Sequence, residues 1–179
     1  FENIGPKEIN AYGYIVKKIL HAWRFFTNYN LPGKSKKNVK HHYDLGEDLY
    51  NLFLDKEHRQ YSCAYWKSPN ETLEEAQQNK INHIIKKLDL RPGQTVLDIG
   101  CGWGSMCFEI AKQSECEVTG YTLSQNQYDY CVKKAKELKL DNQCHFELSD
   151  YREIKGKFNR IVSVGMLEHV GRKFYKTFF

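Results

Sequence analysis

The 179-residue chain predicts an α/β fold, a parallel sheet flanked by helices, and three observations carry that prediction. From residue 95 onward, short β-branched runs alternate with helix-length amphipathic segments, the pattern of right-handed βαβ units. A glycine-rich turn follows the first run, where a tight strand-to-helix connection needs residues without a Cβ. Composition fits a packed domain: 41% hydrophobic, 14% aromatic and 27% charged residues argue against disorder.

The elements follow in order. Residues 8–29 read as a helix, because Ile9, Tyr12, Val16, Ile19, Trp23 and Phe26 recur at three- and four-residue steps. Leu31, Pro32 and Gly33 break it, and residues 34–40 form a basic linker. Residues 1–38 are therefore read as a basic helical N-terminal segment, the end of an accessory domain, with the main domain at 39–179. The formal net charge is +5, and the eight Lys and Arg against two Glu within residues 1–40 place +6 there. An anionic partner is expected at that end. Trp, Phe and Lys along one helix suit a membrane surface, while simple packing on the main domain is the plainer reading.

Residues 41–53 carry Tyr43, Leu45, Leu49, Tyr50 and Phe53, consistent with a helix starting after Asp44. Residues 61–66 are aromatic and irregular. Thr72 with Glu75 forms a capping-box signature for a helix through Leu88. Strands are expected at 95–99, 117–121, 144–148 and 160–164, with helices from Gly104 to about Gln113 and across residues 124–139. The cysteines, at 63, 101, 107, 116, 131 and 144, include no C-x-x-C pair and no zinc-like histidine spacing. They read as reduced, mostly buried thiols, and no metal is expected. No run of eighteen apolar residues could span a bilayer. The chain opens at Phe1 without an initiator Met and reads as part of a longer polypeptide.

The turn at residues 98–104, D-I-G-C-G-W-G, carries the chemistry. Glycines beside a helix N-terminus let a backbone approach a ligand closely. A dinucleotide fingerprint requires a glycine where Ser105 stands, and a P-loop requires G-K-[ST], so neither fits. The pattern instead resembles motif I of class I S-adenosylmethionine (SAM) dependent methyltransferases. One departure is that the second strand ends at Tyr121, Thr122 and Leu123 without a carboxylate for a ribose. Hydroxyl and amide groups can serve there, since they donate and accept.

Five segments together resemble the cyclopropane-fatty-acyl-phospholipid and mycolic acid cyclopropane synthases: residues 42–46 (H-Y-D-L-G), 61–66 (Y-S-C-A-Y-W), the glycine turn, Thr122 to Ser124 with Gln127, and 166–171 (M-L-E-H-V-G). The likeness spans residues 39–179. It implies a Rossmann-like methyltransferase domain, incomplete here because the family sheet continues for further strands, so that this polypeptide alone is expected to be inactive. It also implies site roles. Tyr61, Ser62, Gly100 and Gly102 would contact SAM, with Asp98 supporting its methionine end. Thr122 and Gln127 would take the ribose, and Asp150 and Tyr151 would surround the adenine. Cys63, through its backbone, and Glu168 would hold a bicarbonate ion, and Tyr43 would lie beside the lipid. The plainer alternatives are a helix cap for Asp150 and a packed thiol for the Cys63 side chain. Glu168 follows a hydrophobic strand, where an unpaired carboxylate is costly.

The implied reaction transfers a methylene group to the cis double bond of an unsaturated phospholipid acyl chain, through a carbocation deprotonated by bicarbonate. The alternative enzyme is a SAM-dependent C-methyltransferase acting on another lipid or small molecule. A nucleic-acid-binding module would use the basic end, but the aromatic stripe suits lipid better; a catalytically dead scaffold is opposed by Gly100, Gly102 and Glu168. The expected partner is an anionic bilayer surface with unsaturated acyl chains, not nucleic acid. A homodimer is compatible, and the expected location is the cytoplasm, peripherally on the inner face of the cell membrane.

Overall fold

The computed structural model describes residues 50, 52–171 and 174–179. The predicted N-terminal helix, the linker, Tyr43 and most of residues 41–53 lie outside the described residues; Tyr50, Leu52 and Phe53 have helical backbone. Residues 61–66 form no regular element, as expected.

Helix α1 is Leu73–Leu88. Its start is fixed by the capping box: Glu75 N donates to Thr72 Oγ1 at 3.2 Å, and Thr72 N donates to Glu75 Oε2 at 2.7 Å. Strand β1 is Thr95–Ile99 and leads through the glycine turn into α2, Ser105–Ser114. Strand β2 is Glu117–Thr122, and Ser124 caps α3, Gln125–Glu137, by accepting from Gln127 N. Strand β3 is Cys144–Leu148, a 3-10 turn covers Tyr151–Glu153, and β4 is Arg160–Val162. Two short helical turns close the chain, α4 at Leu167–Val170 and α5 at Tyr175–Phe178.

The four strands are parallel in the order β3-β2-β1-β4. The chain walks outward from β1 to β3 and then returns to the far side of β1. That reversal puts a crevice at the C-terminal ends of β1 and β4, where open parallel sheets bind ligands. The glycine turn opens there.

Two boundaries differ from expectation by two residues. Helix α3 ends at Glu137 because Leu138 N closes onto Lys134 O and Lys139 takes a positive φ of 58°. Strand β4 stops at Val162: the Ser163 hydroxyl bonds Ile99 O at 2.9 Å, and Gly165 bends at a φ of 72°.

The core lies between the sheet and the helices, built on Val96, Val118, Ile110, Ile81 and Phe146. Phe108 and Phe146 meet edge to face at 5.5 Å. Five cysteines are buried free thiols, as read from the sequence; Cys63 is exposed, which overturns the packed-thiol reading of its side chain. Its segment is irregular and runs over the surface rather than into the core.

Candidate functional site

Three segments meet at the crevice. The glycine turn is the first. Gly100 and Cys101 both donate their backbone N–H to Tyr121 O at 3.0 Å, tying the turn to the end of β2. Gly100, Gly102 and Gly104 take φ values of 80°, 56° and 80°, the left-handed region that disfavours a Cβ. At Gly104 a Cβ would also fall 2.8 Å from Cys131 Sγ, so that glycine is required by packing. At Gly102 nothing lies within 4 Å of that position, which leaves the backbone open for a ligand to approach.

The turn after β4 is the second segment. A Cβ on Gly100 would meet Met166 Cβ at 3.3 Å, so Met166 covers the start of the glycine turn. The third is residues 61–63: a Cβ on Gly165 would lie 3.7 Å from Ser62 Cβ and 3.8 Å from Glu168 Oε1. Ser62, Gly165, Glu168, Met166 and Gly100 thus form one continuous surface. Glu168 is exposed, so the argument that a buried carboxylate requires a partner does not apply. The carboxylate stands at the rim, beyond β4, where water solvates it.

Beside the turn stands an aromatic wall. Buried Tyr50 contacts Trp103 at 5.8 Å and Tyr61 at 6.4 Å between ring centroids, and Phe53 meets Tyr61 at 6.2 Å. Trp103 packs perpendicular to Tyr130 at 5.2 Å, and the Arg59 guanidinium sits 4.7 Å from the Tyr130 ring. Tyr61 itself is 68% exposed.

The remaining predicted residues are placed as follows. Asp98 is buried beneath the turn, where Cys107 Sγ donates to Oδ2 at 3.4 Å. Burial, reinforced by the Cys101 thiol, pushes its carboxyl up to about 8, against the lowering effect of that bond. Thr122 donates to Gln127 Oε1 at 2.8 Å, which holds the two side chains together; Gln127 Nε2 has no partner among the described residues. Asp150 caps the 3-10 turn by accepting from Arg152 N at 3.0 Å, and it takes the Arg152 guanidinium at 2.8 and 2.6 Å. The cap reading is therefore realised. Tyr151 packs against Phe178 at 5.3 Å. The Cys63 backbone follows Ser62 at the crevice, and Tyr43 lies outside the described residues.

Sequence reasoning missed Lys80, Gln77 and Asp55. Lys80 Nζ donates to Ser62 Oγ at 2.7 Å and Ser62 O at 3.1 Å, and Gln77 Nε2 donates to Ser62 O at 3.1 Å. Asp55 accepts from the backbone of His58, Arg59 and Gln60, shaping the approach to residue 61. The available signal was polar Gln77 and Lys80 on the same helical face as Ala76 and Ile81.

A family model described as mycolic acid cyclopropane synthetase matches residues 32–179. The chain belongs to that family. It is 45% identical over 153 residues to the cyclopropane-fatty-acyl-phospholipid synthase of Escherichia coli, covering 84% of this chain and 38% of that protein. It is 40% identical to cyclopropane mycolic acid synthase 3 of Mycobacterium tuberculosis, over 79% of this chain and 49% of that one. Among solved structures, cyclopropane synthase MmaA2 from M. tuberculosis superposes with a TM-score of 0.76 at 39% identity. Mycolic acid cyclopropane synthase CmaA1, complexed with SAH and CTAB, gives a TM-score of 0.76 at 38% identity. Each of these two alignments covers 80% of this chain and 50% of the other. The chain thus spans half or less of the length of these family members. The parallel sheet with flanking helices is the methyltransferase architecture expected from the sequence.

Proposed function

We propose that the natural protein transfers a methylene group from SAM to the cis double bond of an unsaturated phospholipid acyl chain, forming a cyclopropane. The observation that carries this reading is the meeting of residues 61–63, the glycine turn and residues 165–168 at the strand ends, in a chain 45% identical to a phospholipid-directed family member.

The residues present fit a bound SAM. The open backbone at Gly102 gives room for the methionine portion, and the unused Gln127 Nε2 donor suits a ribose hydroxyl. Glu168, without a hydrogen-bond partner among the described residues, fits an ion that offers a hydroxyl proton, as bicarbonate does. When bound, SAM supplies an electrophilic methyl group and bicarbonate a proton acceptor near the reacting carbon.

The chain's own contribution is orientation and environment. Tyr61, Phe53 and Tyr50 offer an aromatic surface against which an alkene, a weak nucleophile, can be positioned, and positioning lowers the barrier. Their ring faces favour a passing carbocation by cation–π attraction. Glu168 accepts a hydrogen bond at the rim and fixes the base that removes the proton. Tyr43 is proposed to line the lipid side, and Asp150 and Tyr151 the adenine side.

The decisive experiment incubates the full-length protein with SAM and vesicles of monounsaturated anionic phospholipid, followed by mass spectrometry of the acyl chains. A gain of one CH2 with loss of the alkene is the expected result. A methyl-branched product would move the reading to a C-methyltransferase. Glu168→Gln should keep SAM affinity within about twofold and lower turnover by about 100-fold or more, the scale of general acid–base catalysis. Unchanged turnover would remove Glu168 from the mechanism.

A further inference from the structure

Lys80 sits on the inner face of α1 and is only 8% exposed. Lysine is rarely buried without a paired carboxylate, and no carboxylate of the described residues forms an ion pair with it. Its hydrogen bonds among the described residues both go to one residue, eighteen positions earlier in the chain: the carbonyl and the hydroxyl of Ser62. One helical turn before it, Gln77 Nε2 reaches the same carbonyl and, at 3.4 Å, Gln60 O. Residues 60–62 have no ladder of their own, and α1 supplies the donors to the carbonyls of Gln60 and Ser62. Ser62 in turn faces Gly165, beside the Met166 that covers Gly100.

We infer that Lys80 is a positioning residue of the cofactor site, holding the Tyr61–Cys63 segment against the glycine turn through two charge-assisted bonds to Ser62. The inference rests on the reading of Tyr61 and Ser62 as SAM contacts. A flexible aromatic strip would otherwise have to be ordered each time the cofactor binds, which weakens binding. Lys80 acts through Ser62 and does not touch the reacting atoms. Burial pushes its ammonium down to about 8, while Asp55 and Cys63, the titratable groups facing it, hold it up. The charge is therefore present below pH 8 and lost above it, and the bonds to Ser62 weaken with it.

The test is SAH binding by calorimetry on the full-length protein, together with steady-state kinetics. Lys80→Met keeps an unbranched apolar stem, one atom shorter, and removes the charge and the donors. The SAH dissociation constant and the KM for SAM should rise about tenfold, the loss expected of a bond to a charged group, while kcat stays within about threefold. Wild-type affinity should fall as pH rises from about 7 to about 9, and Lys80→Met should lose that part of the slope. Asp98 titrates in the same window, so the difference between the two proteins is the diagnostic quantity. Equal affinity and equal slope in both proteins would overturn the inference. Should Lys80→Met fail to fold by circular dichroism, Ser62→Ala, which removes the hydroxyl partner, must reduce the pH slope of SAH binding; because Ser62 is itself read as a SAM contact, the slope and not the affinity decides, and an unchanged slope overturns the inference. Absence of SAH binding by the wild type would overturn the function reading as well.

Discussion

Asp98, 3% exposed and proposed to support the methionine end of SAM, is placed at the expense of the fold. Its unfolded carboxyl ionises near 3.8, whereas in the folded chain burial raises it to about 8. Between those values the folded chain holds a proton that the unfolded chain has released. Stability of the ligand-free protein therefore falls as pH rises across that window. Asp98→Asn stays neutral at every pH and can still accept from Cys107. It should raise the urea midpoint at pH 7.5 more than at pH 5; parallel pH profiles for variant and wild type would contradict the burial argument. At this scale the sequence identified Asp98, Gly100 and Gly102 through one motif. It gave no access to Lys80, whose meaning depends on Ser62 lying against it in space. Nor did it anticipate that Arg152 would occupy Asp150, because either neighbour could have taken that carboxylate.

At the scale of elements, α1 is both a structural helix and the support of residues 60–62. Its capping box was legible because Thr72 and Glu75 stand three apart before an amphipathic run, and the bonds form as the spacing requires. Thr72→Ala should cost about 1 kcal/mol, lowering the melting temperature by about 2–4 °C for a chain of this size. A shift no larger than that of an exposed control substitution would show that packing, not the cap, sets the start of the helix. Strand β4 was read two residues too long, because Val164 continues an apolar run. The Ser163 hydroxyl and the bend at Gly165 end the ladder there, and the bend brings Glu168 toward Ser62. The expectation that a carboxylate at Glu168 is costly unless paired lapses for the same reason: the chain turns outward and leaves that residue exposed.

For the whole molecule, the strand order places one crevice at the reversal between β1 and β4. Strand β4 is an edge of this sheet, with Ile161 58% exposed. Among the described residues no helix is long and apolar enough to cross a membrane. The excess of Lys and Arg in residues 1–40 is the ground for proposing that this segment meets an anionic bilayer surface. Binding of the full-length protein to anionic vesicles should weaken steeply between about 0.1 and 1 M salt, as the screening length falls from about 10 to 3 Å. Replacing Lys34, Lys36, Lys37 and Lys40 by Gln should remove about 1 kcal/mol of binding for each charge near the surface. Salt-insensitive binding, unaffected by those four changes, would locate the lipid contact elsewhere.

The sequence by itself determined the order of strands and helices, the cap of α1, the glycine turn and the family. These are local features: a period of side chains, a hydroxyl three residues from a carboxylate, and glycines where a turn needs them. Tertiary structure alone decided which distant groups meet. Lys80 on Ser62, Gly165 between Ser62 and Glu168, and Met166 over Gly100 each join residues from separate elements. Such contacts depend on how the strands order and where each ladder ends, and spacing along the chain does not encode those distances.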